Sequence, residues 1–143
     1  MCKPKPVHAR NFLVAIALTF LFLGNAGCQS MDREEIAWQA LHAVDVAQTM
    51  SAARDPCYRE AAWLTRNIIG EQPSEVEVLA WGVGTAIIHR WVGQVLERRD
   101  APRWVRVAWD LGTIGYTGHT VVDNHRNGVR IWGDNVEHDG CSA

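Results

Sequence analysis

The chain has 143 residues, with 14 Lys and Arg, 16 Asp and Glu, and a formal net charge of −2 at pH 7. This length accommodates one domain and is too short for two of ordinary size. The acidic excess, and the absence of any lysine after Lys5, exclude general nucleic-acid binding, which requires a net basic surface.

The first 27 residues have the organisation of an export signal. An uncharged apolar run at residues 12–24 follows a short basic segment and precedes small residues; the basic residues are Lys3, Lys5 and Arg10. The run is too short to cross a bilayer comfortably, so we predict a removable signal peptide over residues 1–27. Its removal leaves 11 basic and 16 acidic residues, a net charge near −5.

Cys28 directly follows this segment and has two interpretations. The pair Gly27-Cys28 resembles the cleavage site of bacterial lipoproteins, in which the cysteine is lipidated and becomes the new N-terminus, although Asn25 stands where those proteins usually carry leucine. The alternative is ordinary cleavage after Ala26, which leaves Cys28 a plain thiol. We favour lipidation, with palmitate on Cys28 and a short tether at residues 28–33. This predicts a membrane-anchored protein of the bacterial cell envelope that faces the periplasm.

Two further cysteines, Cys57 and Cys141, remain in the exported chain. An oxidising compartment favours a disulfide between them, and this is the interpretation we prefer. The alternative is two unpaired thiols that serve as small apolar residues. No two cysteines of the chain have the spacing of metal ligands.

Residues 34–143 are predicted to form an all-α domain, a small bundle of about four helices with a polar C-terminal tail. The first helix must end before Pro56, because proline disfavours helix in the residue before it. Gly70 is a natural C-terminal cap for the second helix, and Ser74 with Glu77 forms a capping box at the start of the third. The predicted helices cover residues 34–53, 58–69, 75–99 and 103–125, and a short strand is predicted at 129–132.

The third and fourth helices have the length of membrane spans. Residues 78–96 and 104–122 are nineteen residues each, and Arg90 is the one charged residue of the first. A central charge costs about 2.5–3.5 kcal/mol on insertion. An antiparallel hairpin places Arg90 level with Asp110, so the two charges would pair at the same depth.

The connection between these two helices favours an inserted hairpin. Its arginines predict a cytoplasmic location, and small residues on both helices would allow the two helices to approach closely. The alternative is a soluble exported bundle in which the same residues form the core. The arginines are Arg98, Arg99, Arg103 and Arg106, and the small residues are Gly82, Ala86, Gly93, Gly112, Gly115 and Gly118.

Polar residues on three helices are the candidates for chemistry. Trp38, His42, Asp45 and Thr49 follow steps of four, three and four and therefore share one helix face. The predicted stripe of the fourth helix is Trp109, Gly112, Tyr116, His119 and Asp123. The full polar cluster is His42, Asp45, His89, His119 and Asp123. Such residues can bind zinc, but structural hydrogen bonding is the interpretation we favour, since buried polar groups require partners in any case.

The run Asp45-Val46-Ala47-Gln48-Thr49, followed by Glu60 and by Gly70-Glu71-Gln72-Pro73-Ser74, resembles a group of small bacterial and phage envelope proteins that carry lipoprotein-like signals. Residues 60–63, Glu-Ala-Ala-Trp, lack the Asn-Pro that members usually have at this point. The resemblance extends from Trp38 to Asn127. It implies a helical envelope protein and no particular activity.

We therefore expect a non-enzymatic cell-envelope lipoprotein of structural or interaction role, without a cofactor. Its expected partners are the membrane and an envelope protein, and no nucleic acid. The alternative is a small envelope metal-binding protein or hydrolase that uses the polar cluster.

Overall fold

The computed structural model describes residues 32–55, 58–60 and 62–132. The described residues contain four helices and no strand, which confirms the predicted all-α class. The helices are α1 (Arg33–Ala52), α2 (Trp63–Ile69), α3 (Glu75–Arg98) and α4 (Arg103–Arg126). The signal peptide, the tether up to residue 31, and Cys28, Cys57 and Cys141 lie outside the described residues.

Helix α3 begins at the predicted capping box. The backbone N–H of Ser74 donates to Oε2 of Glu77 at 2.7 Å, and the Glu77 N–H donates to Oγ of Ser74 at 3.4 Å. Gly70 ends α2 with a φ of +92°, a positive value that glycine adopts without steric cost. Both local predictions are confirmed. Each could be made from the sequence because it depends on residues only a few positions apart.

One predicted helix begins later than expected, and the predicted strand is wrong. Helix α2 begins at Trp63 rather than at residue 58, because Glu60 is bonded elsewhere: its N–H donates to the Glu71 carbonyl at 2.8 Å and its side chain accepts from the Ala62 N–H at 2.9 Å. The strand at 129–132 is not formed. There the chain turns back at Gly128, whose φ is +82°, and Val129 N–H donates to the Asn124 carbonyl at 2.9 Å.

Helix α1 is the central element of the bundle and contacts both long helices. Leu41 lies against Gly118 of α4, and Gln48 Nε2 donates to the Val121 carbonyl at 3.2 Å, so α1 and α4 run in the same direction. Against α3 the order is reversed, since Gln39 bonds Ala86 and His42 bonds Gly82. Helices α3 and α4 are therefore antiparallel, as predicted.

Helices α1 and α3 pack tightly at Gly82. A Cβ atom on Gly82 would lie 2.6 Å from Cγ2 of Val46 on α1. A Cβ atom on Gly93, Gly112 or Gly115 would have no such neighbour within 4 Å. The small residues were predicted to let α3 approach α4. In the structure, the one at Gly82 lets α1 approach α3.

No helix in the described residues is long and apolar enough to cross a membrane, so the membrane-spanning interpretation of residues 78–96 and 104–122 has no support from the structure. The predicted pair of Arg90 and Asp110 is not among the ion pairs of the described residues. Arg90 instead lies near Glu35, where its positive charge helps to lower the pKa of that carboxyl.

Candidate functional site

Four aromatic rings form a continuous stack between α1, α3 and α4. Trp38 lies at its centre, with the His89 ring 3.6 Å away on one side and the His42 ring 4.7 Å away on the other, measured between ring centroids. Trp109 stacks on the far side of His89 at 5.0 Å. The stack therefore places one histidine between two indoles and one indole between two histidines. We call these four residues the aromatic column.

His89 is also the centre of a hydrogen-bonded chain. Its side chain is 4% exposed, its Nδ1 lies 3.0 Å from Oε2 of Glu35, and its Nε2 lies 2.9 Å from Oγ1 of Thr113. Glu35 belongs to α1 and Thr113 to α4, so a single imidazole joins all three long helices. The order carboxylate, imidazole, hydroxyl is the order found in nucleophilic triads.

The Thr113 hydroxyl also ties the site to the backbone of α4. Oγ1 of Thr113 donates to the Trp109 carbonyl at 2.8 Å, and a hydroxyl has one hydrogen to donate. The Glu35 carboxylate accepts, so Nδ1 of His89 donates to it. The indoles of Trp38 and Trp109 cover the two faces of the His89 ring.

Glu35 supplies the carboxylate of this hydrogen-bonded chain. Burial alone would raise the pKa of its carboxyl, but hydrogen bonds from His89 and Gln39, with the positive charges of His89 and Arg90, lower it below its ordinary value of 4.5. Nε2 of Gln39 lies 2.7 Å from Oε1 of Glu35. Both carboxylate oxygens therefore have donors, and the ionised form is favoured in the fold.

His42 repeats the threonine contact on the other side of Trp38. Its Nε2 donates to the Gly82 carbonyl at 2.9 Å and lies 2.8 Å from Oγ1 of Thr85, whose hydroxyl donates to the Trp81 carbonyl at 2.9 Å. Burial is the main cause that lowers the pKa of His42, and the charge of His89 adds to it. Burial therefore favours the neutral form of His42, whose Nε2–H donates to the Gly82 carbonyl.

A second polar cluster lies farther along α1, around Asp45. Oδ1 of Asp45 accepts from Nδ2 of Asn124 at 3.1 Å, and the nearby Gln48 is buried. Glu60 is also buried and accepts from the Tyr58 hydroxyl at 3.0 Å. Burial and the negative charge of Glu60 raise the pKa of Asp45 to about 6. Burial and Glu60 likewise raise the pKa of Tyr58.

The structure divides the five residues of the predicted polar cluster into three locations. His42 and His89 belong to the aromatic column and Asp45 to the second cluster, while His119 and Asp123 are exposed on α4. Asp123 accepts a hydrogen bond from Asn127 at 3.2 Å. In the part of the chain that the structure describes, no group of three or more His, Cys, Asp or Glu side chains could hold a metal ion.

Sequence reasoning missed Glu35 and Thr113. Glu35 lies three residues before Trp38 and so continues the face that carries Trp38 and His42, a signal that was available. Thr113 was missed because the inward face of α4 was assigned one residue out of register: the predicted stripe uses Gly112 and Tyr116, whereas Thr113 and the buried Thr117 face inward.

The exterior of the bundle carries two further features. Along α3, exposed apolar residues at steps of four, three, four and four form what we call the outer stripe: Val76, Ala80, Val83, Ile87 and Trp91. At the connection of α3 and α4, four exposed arginines form what we call the arginine turn: Arg98, Arg99, Arg103 and Arg106. Asp100, in this connection, has a φ of +49°, which aspartate tolerates better than most residues.

Comparison of the chain with protein-family models, with curated proteins and with solved structures finds no match. The resemblance to bacterial and phage envelope proteins therefore stays a prediction.

Proposed function

We propose that the protein is a non-enzymatic cell-envelope lipoprotein with an interaction role. The observation that carries the proposal is the outer stripe of α3. Its residues lie on the side of the helix opposite His89, and Trp91 is 61% exposed and Ile87 62% exposed. A row of large apolar side chains on the outside of a small domain is typical of a binding surface.

The interior of the bundle supports a structural role for the polar residues. The side chains of Glu35, His42 and His89 hydrogen-bond to other residues within the bundle. Buried polar groups that satisfy one another hold helices in register and need no ligand. The ionisable side chains are thus used in holding the fold, and the apolar exterior is left for partners.

The evidence for export and for a lipid anchor comes from the sequence. The order of basic, apolar and small residues before Cys28 supports export and lipidation. Palmitate on Cys28 would place the bundle at a membrane surface, where its partner is an envelope protein or the membrane itself.

A hydrolase is the second candidate, because Glu35, His89 and Thr113 occur in the order of a nucleophilic triad. It is the weaker candidate for two reasons. The Thr113 hydroxyl donates to the backbone carbonyl of Trp109 in its own helix, so its single hydrogen is directed away from Nε2 of His89. His89 is also buried between two indoles. If Thr113→Val abolished a hydrolytic activity of the purified protein and left stability intact, the hydrolase would be favoured.

Palmitate labelling of cells tests the lipoprotein proposal. Cells producing the wild type, Cys28→Ala and Cys2→Ala are grown with labelled palmitate and fractionated with a carbonate wash. We expect label in the membrane fraction for the wild type and for Cys2→Ala, because Cys2 leaves with the signal, and no label for Cys28→Ala. Label that persists in Cys28→Ala, or an unlabelled wild type in the cytoplasm, would contradict the proposal.

Photo-crosslinking tests the interaction role. A photoreactive residue at exposed Ile87 should give a discrete adduct in intact cells, whereas the same residue at buried Ala86 should not. If neither Ile87 nor Val83 nor Trp91 gives an adduct, the outer stripe is not a binding surface.

A further inference from the structure

The arginine turn concentrates positive charge in an acidic protein. Residues 97–106 contain four arginines against Glu97 and Asp100. All four arginines are exposed, and none belongs to an ion pair with another described residue. By contrast, Arg54 and Arg66 pair with Glu75 and Glu71. The guanidinium groups of the turn are therefore available to an anionic partner.

Trp104 lies among these arginines and is 73% exposed. It belongs to the first turn of α4, directly after Arg103. An exposed indole beside guanidinium groups has the chemistry of the bilayer interface, where tryptophan occupies the headgroup level and arginine binds lipid phosphates. A soluble anion would use the arginines and leave the indole unexplained.

The geometry of the bundle places this turn at the end where the chain enters. Glu35 is level with His89 and, through it, with Thr113. Arg98 follows His89 by nine residues and Arg103 precedes Thr113 by ten, so the turn extends about 14 Å beyond the level of Glu35 at a rise of 1.5 Å per residue. Asp32 precedes Glu35 by only three residues and therefore lies toward the same end of the bundle.

The length of chain between the lipid anchor and α1 matches this geometry. Three residues lie between Cys28 and Asp32, and the four residue steps from one to the other reach at most about 14 Å. The arginine turn projects about 10 Å beyond the start of α1. A bilayer that holds the lipid of Cys28 is therefore within reach of the turn.

We propose that the arginine turn and Trp104 dock on the surface of an anionic phospholipid bilayer. The inference rests on the proposed function, since the anchor at Cys28 brings the turn to the membrane. The arginines bind lipid phosphates, Trp104 enters the headgroup region, and the outer stripe of α3 stays available for a protein partner. Docking at two points fixes the orientation of the bundle on the membrane, which a single lipid anchor does not.

The test uses the full lipidated chain, purified and reconstituted in vesicles. One set contains phosphatidylglycerol and the other only phosphatidylcholine, and both carry lipids brominated on the acyl chain as fluorescence quenchers. The quenching due to Trp104 is the difference in fluorescence quenching between the wild type and Trp104→Phe. The matched control is Trp63→Phe, because Trp63 is 72% exposed and lies on α2, which precedes the opposite end of α3.

We expect quenching of Trp104 in the anionic vesicles, much less in neutral ones, and none of Trp63 in either. Arg103→Gln should lower the ratio of docked to free turn about fivefold. Arg126→Gln removes the same charge at the last residue of α4 and should leave this ratio unchanged. High salt should weaken docking, because the arginines are exposed.

Several outcomes would overturn the docking proposal. If Trp104 is not quenched, an anionic bilayer is excluded as the partner. The same conclusion follows if the quenching depends neither on lipid charge nor on Arg103. Trp104 that is shielded from acrylamide without lipid, in a complex of two chains, would assign the turn to a second copy. The cell labelling shows separately whether the chain carries palmitate. If it does not, the unlipidated chain is added to the same vesicles. Trp104 that stays unquenched there again overturns the docking proposal.

Discussion

The ring of His89 lies parallel to the indole of Trp38, with centroids 3.6 Å apart and planes that differ by 4°. The two residues belong to different helices, α3 and α1, so their stacking joins these helices face to face. Such aromatic pairs contribute about 0.5–1.5 kcal/mol beyond the area they bury. Because His89 also bonds Glu35 and Thr113, it connects all three long helices.

Replacement of His89 by alanine should strongly destabilise the bundle. The change removes the stacking on Trp38 and leaves the carboxylate of Glu35, whose side chain is 14% exposed, without its main partner. The loss of one member of a buried pair costs about 3 kcal/mol or more. Urea denaturation followed by circular dichroism would measure this free energy of unfolding. His119→Ala is the control and should change it by less than about 0.5 kcal/mol, since His119 is exposed. Equal effects of the two variants would contradict the role of His89.

Glu35 should make the fold sensitive to acid. The pKa of Glu35 is lower in the fold than its ordinary value of 4.5, so the folded state holds the carboxylate more favourably than the unfolded chain does. This contribution to stability is complete above pH 4.5 and is lost as the pH falls through the folded pKa. Unfolding free energies from about pH 6 to about pH 3 should therefore fall more steeply for the wild type than for Glu35→Gln. Parallel curves would show that Glu35 carries no such linkage.

Asp45 should have the opposite pH dependence. Its pKa is raised from 3.8 to about 6 by burial and by the charge of Glu60, so the fold favours the protonated form. The associated stability is present below pH 3.8 and is lost as the pH rises through about 6. Asp45→Asn should stabilise the protein by about 2 kcal/mol at neutral pH, and by little in acid. Asp123→Asn, at an exposed position of α4, is the control. A stability gain that is the same at both pH values would contradict this account.

Gly82 should not tolerate even a methyl group. A Cβ there would lie 2.6 Å from Val46, and overpacking of this kind typically costs about 1–3 kcal/mol. Gly84→Ala is the matched control, because no atom lies within 4 Å of its Cβ position and alanine favours helix by about 1 kcal/mol over glycine. Thermal unfolding should therefore shift down for Gly82→Ala and up for Gly84→Ala. Val46→Ala in the same chain as Gly82→Ala should recover part of the loss, and no recovery would mean that the contact with Val46 is not the cause.

Local features of the fold could be predicted from the sequence. The capping box of Ser74 and Glu77 and the glycine cap at Gly70 depend on backbone groups within one helical turn. The face of α1 that carries Trp38, His42 and Asp45 was also visible, because a step of three or four residues fixes which side chains share a helix face.

The arrangement of the helices could not be predicted in the same way. The predicted stripe on α4 was one residue out of register, since it placed Gly112 and Tyr116 inside where the structure has Thr113 and Thr117. The structure places Thr113 and Thr117 inside, where the Thr113 hydroxyl bonds the Trp109 carbonyl of its own helix, and leaves Tyr116 and His119 exposed. Size and polarity in one helix do not reveal which neighbour it meets.

The sequence by itself determined the all-helical class, the ends of the long helices and the polar face of α1, because these follow from propensities and spacings within single segments. The tertiary structure decided that α1 lies between α3 and α4, that Glu35, His89 and Thr113 meet, and that His119 and Asp123 do not join them. Each of these depends on contacts between residues more than twenty positions apart in the chain, and such contacts are set by how three helix faces fit together. The arginine turn is visible in the sequence, but its position at the end where the chain enters the bundle is a property of the fold alone.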